Sequence, residues 1–364
     1  EGDGVRPSEE LVFCILRGGG RRPGVWPSLT REARTGGVRM QSCTAQGMLR
    51  RARLGEGLPD VVYNRVATRS QERSAEVCAV KAMLCQRRIP FFNARFFDKR
   101  EVLSTLQEDE HTAGLLPTTV VDPDLESVRS LLETGDAVYL KPYAGSYGEG
   151  ICRIERAGAG YRVSHRIGQA TVVDSFSTLR ACLAAARGRM NRAAHVAQQA
   201  VPLRTYEGAP TDFRIHVQRA EGDWEVVAIG AKVARPGGVT THVKAGGRVE
   251  AGDVVLESWF GADAPRMRER LEDAATRIAA RLSSALDPGL AELGIDLGIA
   301  EDGSLGVFEA NAKPGRAIFL HPRLRTASAA SCRLLIARAL SLRRFPGSDR
   351  VGAKTAAKHA GVVS

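Results

Sequence analysis

Residues 295–315, "IDLGIAEDGSLGVFEANAKPG", decide how this chain is read. Two aliphatic runs flank Asp302-Gly303, a dipeptide suited to a two-residue hairpin turn because it tolerates positive φ. That turn pairs Glu301 with Ser304 and, counting outward, sets Asp296 opposite Glu309. Residues directly opposite share a face, with Cβ atoms ~5 Å apart. Asn311, two positions beyond Glu309, points the same way. The other face carries Ile295, Leu297, Ile299 and Phe308 and is expected to be core. Two carboxylates at that separation repel unless positive charge lies between them. Hard oxygen ligands of this kind suit Mg²⁺ shared with phosphate oxygens. An Arg or Lys partner, or a splayed pair in solvent, meets the same need, and the hairpin alone does not choose.

The choice is informed by "VYLKPYAGSYGEGICRIER", residues 138–156. Lys141 lies on a strand, Gly145, Gly148 and Gly150 follow in a turn, and a second strand comes after. Such glycines let backbone amides approach a phosphate, and Ser146 adds a hydroxyl donor. A Walker A loop and a dinucleotide fingerprint each open a helix. The kinase glycine hairpin has its lysine on the following strand. Here the loop reads as a hairpin flap preceded by its lysine; an ordinary surface hairpin would leave the Lys-Pro pair without a role.

Other elements arrange themselves around these two hairpins. "ELVFCILRGGG" and "PDVVYNRV" read as strands, and Val77, Val80 and Leu84 space a helix between Ser74 and Arg87. Together they form a small α/β unit. Asp98 followed by Glu101 is a capping-box pattern that opens a helix. Lys99 then sits at a helix N-terminus, a place that favours anions, although for this segment alone a solvated lysine on a capped helix is the simpler account. A helix is expected near 125–134, a strand over 136–142, and a helix "STLRACLAAARGRM" leading into the strand "HVAQQAVPL". "DFRIHVQRA" and "WEVVAIGAKVA" flank the turn "EGD" as a strand pair, and "RPGGVTTHVKAGG" is loop-like. Met267, Leu271, Ala274, Ile278 and Leu282 define the core stripe of an amphipathic helix.

At 364 residues the chain is long enough for two or three domains. Its net charge of +11 attracts anions, but the basic residues are scattered and aromatics are only 5%. That composition argues against a nucleic-acid groove with stacking platforms. Seven cysteines, with no C-x-x-C pair, argue against a disulfide framework and a zinc site and fit a reducing, cytoplasmic setting. No apolar run approaches the length of a membrane span. The chain starts at Glu1 rather than Met, as a fragment or a processed product would.

The ordered set "DVVYNRV", "FFNARFFDK", "LKPYAGSYGEGI", "DFRIHVQ", "THVKAGGR" and "IDLGI…FEANAKPGR" resembles the ATP-grasp superfamily, specifically its YheC/YheD-like, endospore coat-associated group, over roughly residues 10–340. The resemblance implies an α+β fold in which ATP is clamped between two α+β subdomains, behind an α/β N-terminal domain. Its boundaries are a flexible lead-in over 1–9, an N-terminal domain with connecting helix over 10–115, and a small subdomain with the flap over 116–200. A C-terminal subdomain with the metal hairpin covers 201–342, and a basic tail covers 343–364. Lys99 and Lys141 are similar to phosphate-contacting lysines, and Gly145, Ser146, Tyr147, Gly148 and Gly150 to the flap. Gln198, Gln199 and Val201 would form the hinge that meets adenine. Asp296, Glu309 and Asn311 match the magnesium triad, spaced as in D-alanine–D-alanine ligase. Arg214 resembles a family arginine facing the phosphates, with pairing to Asp212 as its alternative role. Arg235, His242 and Arg316 lie in segments expected to flank the acceptor pocket.

The chemistry implied is ATP- and Mg²⁺-dependent carboxylate–amine ligation through an acylphosphate, acting on an amino acid, peptide or polyamide. Such catalysis needs alignment and charge neutralisation rather than an enzyme nucleophile. An ATP-grasp kinase, or an ATP-binding spore-coat assembly protein with little turnover, are the alternatives. The partners expected are ATP, a carboxylate and an amine acceptor, with spore-coat proteins as further candidates.

Overall fold

In the computed structural model the described residues are 59–342, apart from 144–148, 169, 191–192, 239 and 242–244, together with the backbone of 13–16. The lead-in and the basic tail expected from sequence lie outside them, as do Gly145, Ser146, Tyr147, Gly148 and His242.

Three sheets organise the described residues. The first is parallel, ordered β1 (Phe13–Leu16), β2 (Val61–Asn64), β3 (Phe91–Phe92). The helices α1 (Arg69–Glu72) and α2 (Ala75–Gln86) cross between β2 and β3. Ser74 caps α2 by accepting from Val77 N, and Val77 and Leu84 are buried from its inner face. Next comes α3 (Lys99–Gln107), whose capping box is complete: Asp98 accepts from Arg100 N and Glu101 N, and Glu101 accepts from Asp98 N. A short α4 (Glu110–Ala113) follows.

The second sheet is formed by β4 (Thr119–Val121), β5 (Ala137–Pro142), β6 (Cys152–Ala157), β7 (Gly160–Ile167), β8 (Ala170–Phe176) and β9 (His195–Gln199). Its strand order is β4-β9-β5-β6-β7-β8. The helices α5 (Leu125–Thr134) and α6 (Leu179–Arg189) cover one face, burying Leu131, Leu132, Cys182 and Leu183 against Val138, Leu140 and Ile154. The pair β7 and β8 had no counterpart in the sequence reading. Their alternation is broken by Ser164, His165 and Arg166, so the period of two is weak.

The third sheet contains β10 (Thr205–Tyr206), β11 (Ala209–Gln218), β12 (Glu225–Val233), β13 (Arg248–Ala251), β14 (Glu292–Ile299) and β15 (Leu305–Asn311). It runs β13-β12-β11-β14-β15, with β10 on β11. Between β13 and β14 lie α7 (Gly252–Phe260) and α8 (Ala264–Leu286), and α9 (Arg325–Leu342) closes the described chain. Met267, Leu271, Ala274, Ile278 and Leu282 are all buried, and they pack on Phe213, Ile215, Ile295 and Leu297. Every residue of β14 is buried, so this central strand has no solvent face.

The deciding hairpin forms in the expected register at Asp296↔Glu309 but not at its turn. Ser304, rather than facing Glu301, bonds back to Ala300 (Ala300 N to Ser304 O, 2.9 Å), and Gly303 takes φ +82°. Asp302 Oδ1 accepts from Ser304 N at 2.8 Å, which favours this three-residue loop over the two-residue one. The pairing is thereby displaced by one residue, to Leu297↔Val307 and Ile299↔Leu305. A β-bulge at Phe308 then restores it. The bulge also alters the face of one side chain: Phe308, expected in the core, lines the cleft instead.

Candidate functional site

The cleft lies between the second and third sheets. Lys141 reaches it from β5, Gln198 from β9, Lys99 from the first turn of α3, and Asp296 and Glu309 from the β14–β15 hairpin. Lys141 Nζ donates to Gln198 Oε1, and Gln198 Nε2 donates to Thr119 Oγ1 at 3.1 Å. The same ammonium sits 5.5 Å from the Phe308 ring centroid and 5.8 Å from that of Tyr139. Burial, and then the Lys99 charge, lower the Lys141 pKa to about 8.

Asp212, Asp296 and Glu309 each hold a cation in the cleft. Lys99 Nζ donates to Glu309 Oε1 at 3.0 Å. Arg214 donates twice to Asp296, Nε to Oδ1 at 2.6 Å and Nη2 to Oδ2 at 2.9 Å. Lys232 Nζ lies 3.1 Å from Asp212 and 3.2 Å from Asp296, and Thr241 Oγ1 donates to Asp212 Oδ2 at 2.8 Å. Burial opposes ionisation of Asp296, but Arg214 and then Lys232 outweigh it and hold the carboxyl well below its usual range. For Asp212 burial wins over Lys232, and its pKa rises.

Sheet register explains this order. Arg214 and Asp296 are cross-strand partners on β11 and β14, and Asp212 and Lys232 on β11 and β12. Arg214 thus pairs with Asp296, and Lys232 takes the Asp212 partnership considered for Arg214 from sequence. Gly294 makes room for this: a Cβ there would meet Pro314 Cβ at 2.5 Å and the Arg214 Cδ and Nη1 at 3.3 Å.

The remaining expected residues divide. Gln199 and Val201 line the cleft. The N–H groups of Gln199 and Ala200 are already bonded, to Thr118 O and Ala137 O at 2.8 Å each. Gly150, shortly before β6, takes φ +72°. Asn311, half-buried, is the cross-strand partner of Gly294. Two arginines point elsewhere. Arg235 Nη2 donates across to Thr171 Oγ1 on β8 at 3.4 Å. Arg316 donates to Glu292 Oε1 at 3.1 Å and Ser331 Oγ at 2.9 Å.

Glu292 belongs to a second polar cluster that the sequence reading missed. Its carboxylate accepts from Gln218 at 3.1 Å and from the Tyr63 hydroxyl, lies 2.8 Å from His216 Nε2, and meets Arg65 at 3.5 Å. Asn93, at φ +53°, donates to the carbonyls of Glu292 and Ala312 and accepts from Ala291 N and Glu292 N. These contacts tie the first sheet to the third. Lys232 was also missed, and Phe308 was assigned to the core face instead of the cleft. Counting outward from "EGD", as was done for the 295–315 hairpin, would have paired Lys232 with Asp212.

The donor set fits a divalent cation. Asp296 and Glu309 face each other across the hairpin, present hard oxygens to one cleft, and already hold ammonium and guanidinium groups there. Among the described residues no cluster of three or more His, Cys, Asp or Glu is arranged to hold a metal.

Residues 88–342 match the profile of the YheC/D-like ATP-grasp family. The chain belongs to that family. It is 34% identical over 270 residues to the endospore coat-associated protein YheD of Bacillus subtilis (strain 168), covering 73% of this chain and 59% of YheD. The chain therefore spans somewhat more than half of that relative's length. Endospore coat-associated YheC of the same organism is 23% identical over 264 residues, 71% of each chain. Among solved structures, the VanG D-Ala:D-Ser ligase of Enterococcus faecalis superposes with a TM-score of 0.47 at 13% identity, over 79% of this chain and 73% of that one. The ATP-grasp ligase PsnB, complexed with a minimal precursor, gives 0.48 at 15%, over 90% and 100%. The family match over residues 88–342 identifies the fold as ATP-grasp, a family that uses ATP with a divalent metal. No helix among the described residues is long and apolar enough to cross a membrane.

Proposed function

We propose that this YheC/D-like chain is an ATP- and Mg²⁺-dependent carboxylate–amine ligase acting on an amino acid, peptide or polyamide. The observation that carries the reading is the convergence of Lys99, Lys141, Gln198, Asp296 and Glu309 on one cleft between two six-stranded sheets. Those sheets would be the two jaws of the clamp, and Gln198, Gln199 and Val201 the hinge behind the base. Asp296, Glu309 and Asn311 would hold Mg²⁺, which supplies charge neutralisation at the phosphate oxygens.

The cations of the chain have a stated task in this scheme. Lys99 and Lys232 rest on the carboxylates that would hold the metal, and both ammoniums border the cleft where they would face phosphate oxygens. Lys141 neutralises from the opposite sheet. Arg214, locked on Asp296 by two hydrogen bonds, orients that carboxylate rather than moving. A substrate carboxylate would attack the terminal phosphorus, giving an acylphosphate and ADP. An amine would then add to the acyl carbon and expel phosphate. Both steps need alignment and a water-poor cleft, not an enzyme nucleophile.

Glu309→Ala tests the metal assignment. It should abolish Mg²⁺-dependent ATP turnover while unfolding remains cooperative; full retention of turnover sinks the assignment. A second reading, an ATP-binding spore-coat assembly component with little turnover, draws on the names of YheD and YheC. Mass spectrometry of products from ATP with a pool of amino acids and peptides separates the readings. A new amide supports ligation, a phosphorylated hydroxyl marks a kinase, and no ADP across a broad pool favours assembly.

A further inference from the structure

Arg69 stands outside the machinery described so far, yet it adjoins the phosphate end of the cleft. It opens α1 and lines a small side cavity that shares Lys99, Lys141, Gln198, Phe308 and Glu309 with the main cleft. Of the three residues read as the hinge, Gln198 borders both cavities, whereas Gln199 and Val201 line the main cleft and not the side cavity. A nucleotide whose base rests on the hinge would run past Lys141 to Lys99 and Glu309, with its last phosphate toward Arg69.

The side chain is held in place without being used up. Its Nη2 donates to Phe97 O at 2.7 Å, and the guanidinium carbon lies 5.0 Å from the Phe96 ring centroid. Its Nε is buried and has no hydrogen-bond partner among the described residues. Guanidinium offers five donors, and a buried donor left unbonded is costly unless a ligand or water completes it. Burial lowers the Arg69 pKa, and Glu309 is the carboxylate that most opposes that shift. A cation fixed by one carbonyl and one ring, beside Lys99 and Lys141, is organised to receive an oxyanion.

We propose that Arg69 binds the terminal phosphoryl oxygens of ATP, a contact contributed to the cleft by the unit built on the first sheet. This rests on reading the cleft as the nucleotide site. Arg69 would then sense the γ-phosphate and be indifferent to ADP.

Isothermal titration of Mg²⁺·ADP and of a Mg²⁺-bound, imido-bridged ATP analogue into wild type, Arg69→Ala, Arg69→Gln and Arg69→Lys tests it. Arg69→Ala and Arg69→Gln should weaken the analogue by ~10- to 100-fold, the range of one charge-assisted hydrogen bond, with ADP within about twofold of wild type. Arg69→Lys should recover part of the loss. An analogue affinity unchanged in both neutral variants overturns the proposal, and so does an equal loss for ADP, which marks a brace for Phe97 instead. If Arg69→Ala does not fold, judged by its melting curve, the Gln and Lys variants decide by the same criterion. Wild type binding neither nucleotide would sink the reading of the cleft, and this assignment with it.

Discussion

Glu292 and Asp296 stand four residues apart on β14, so they leave the same face of one strand about 13 Å from each other. Their surroundings differ completely. Glu292 is sealed: its side chain is 0% exposed, and its donors come from β2, the segment after it, β11 and the loop after β15. Asp296 is also deeply buried, but it borders the cleft and takes its cations from β11 and β12 of its own sheet. The first network closes a joint between two sheets, whereas the second keeps acids and cations together where a ligand can separate them. Burial and paired charge alone do not distinguish a site from a brace; the direction in which the group opens does.

The largest expected effect is on stability. Glu292→Ala leaves Arg65, Arg316 and His216 around an empty position and should cost about 3–5 kcal/mol by urea unfolding. Glu309→Gln, which breaks a pair whose side chains are 17% and 28% exposed, should cost no more than about 1 kcal/mol. Equal losses would erase the distinction between joint and site. A smaller effect appears with pH. Burial opposes ionisation of Glu292, but His216, Arg65 and Arg316 outweigh it and hold its pKa well below the normal range. A carboxyl depressed in the folded state stabilises above its unfolded value, ~4.3, and loses that contribution as pH falls. Wild-type stability should therefore decline as the pH drops below about 4, and the decline should be shallower in Glu292→Gln. The smallest effect tests how the cleft is mounted. Asp98→Ala removes the cap of α3 and should cost about 1 kcal/mol in thermal unfolding, with nucleotide affinity reduced because Lys99 is the first residue of that helix.

Much of the architecture was readable in the residues themselves. The capping box at Asp98 and Glu101, the stripe from Met267 to Leu282 and the pairing of Asp296 with Glu309 are local patterns, set by helix and strand periods. What failed to show was local structure with mixed signals. The strands β7 and β8 lack clean alternation, and α7 has no side-chain N-cap hydrogen bond to announce it. Phe308 was misplaced because strand alternation cannot foresee a bulge that compensates a loop one residue longer.

Sequence by itself determined which residue types carry charge and how they are spaced along each element: the acids of the hairpin, the lysine before the flap, the arginine on "DFRIHV". Tertiary structure decided the partners that lie beyond a single hairpin. Arg214 meets Asp296, Lys232 bridges Asp212 and Asp296, and Arg316 turns to Glu292, because cross-strand register and the packing of one sheet on another set distances that chain order does not encode. Charge pairing is a property of space, and residues such as Arg65 and Glu292, 227 positions apart, become neighbours only when the sheets close.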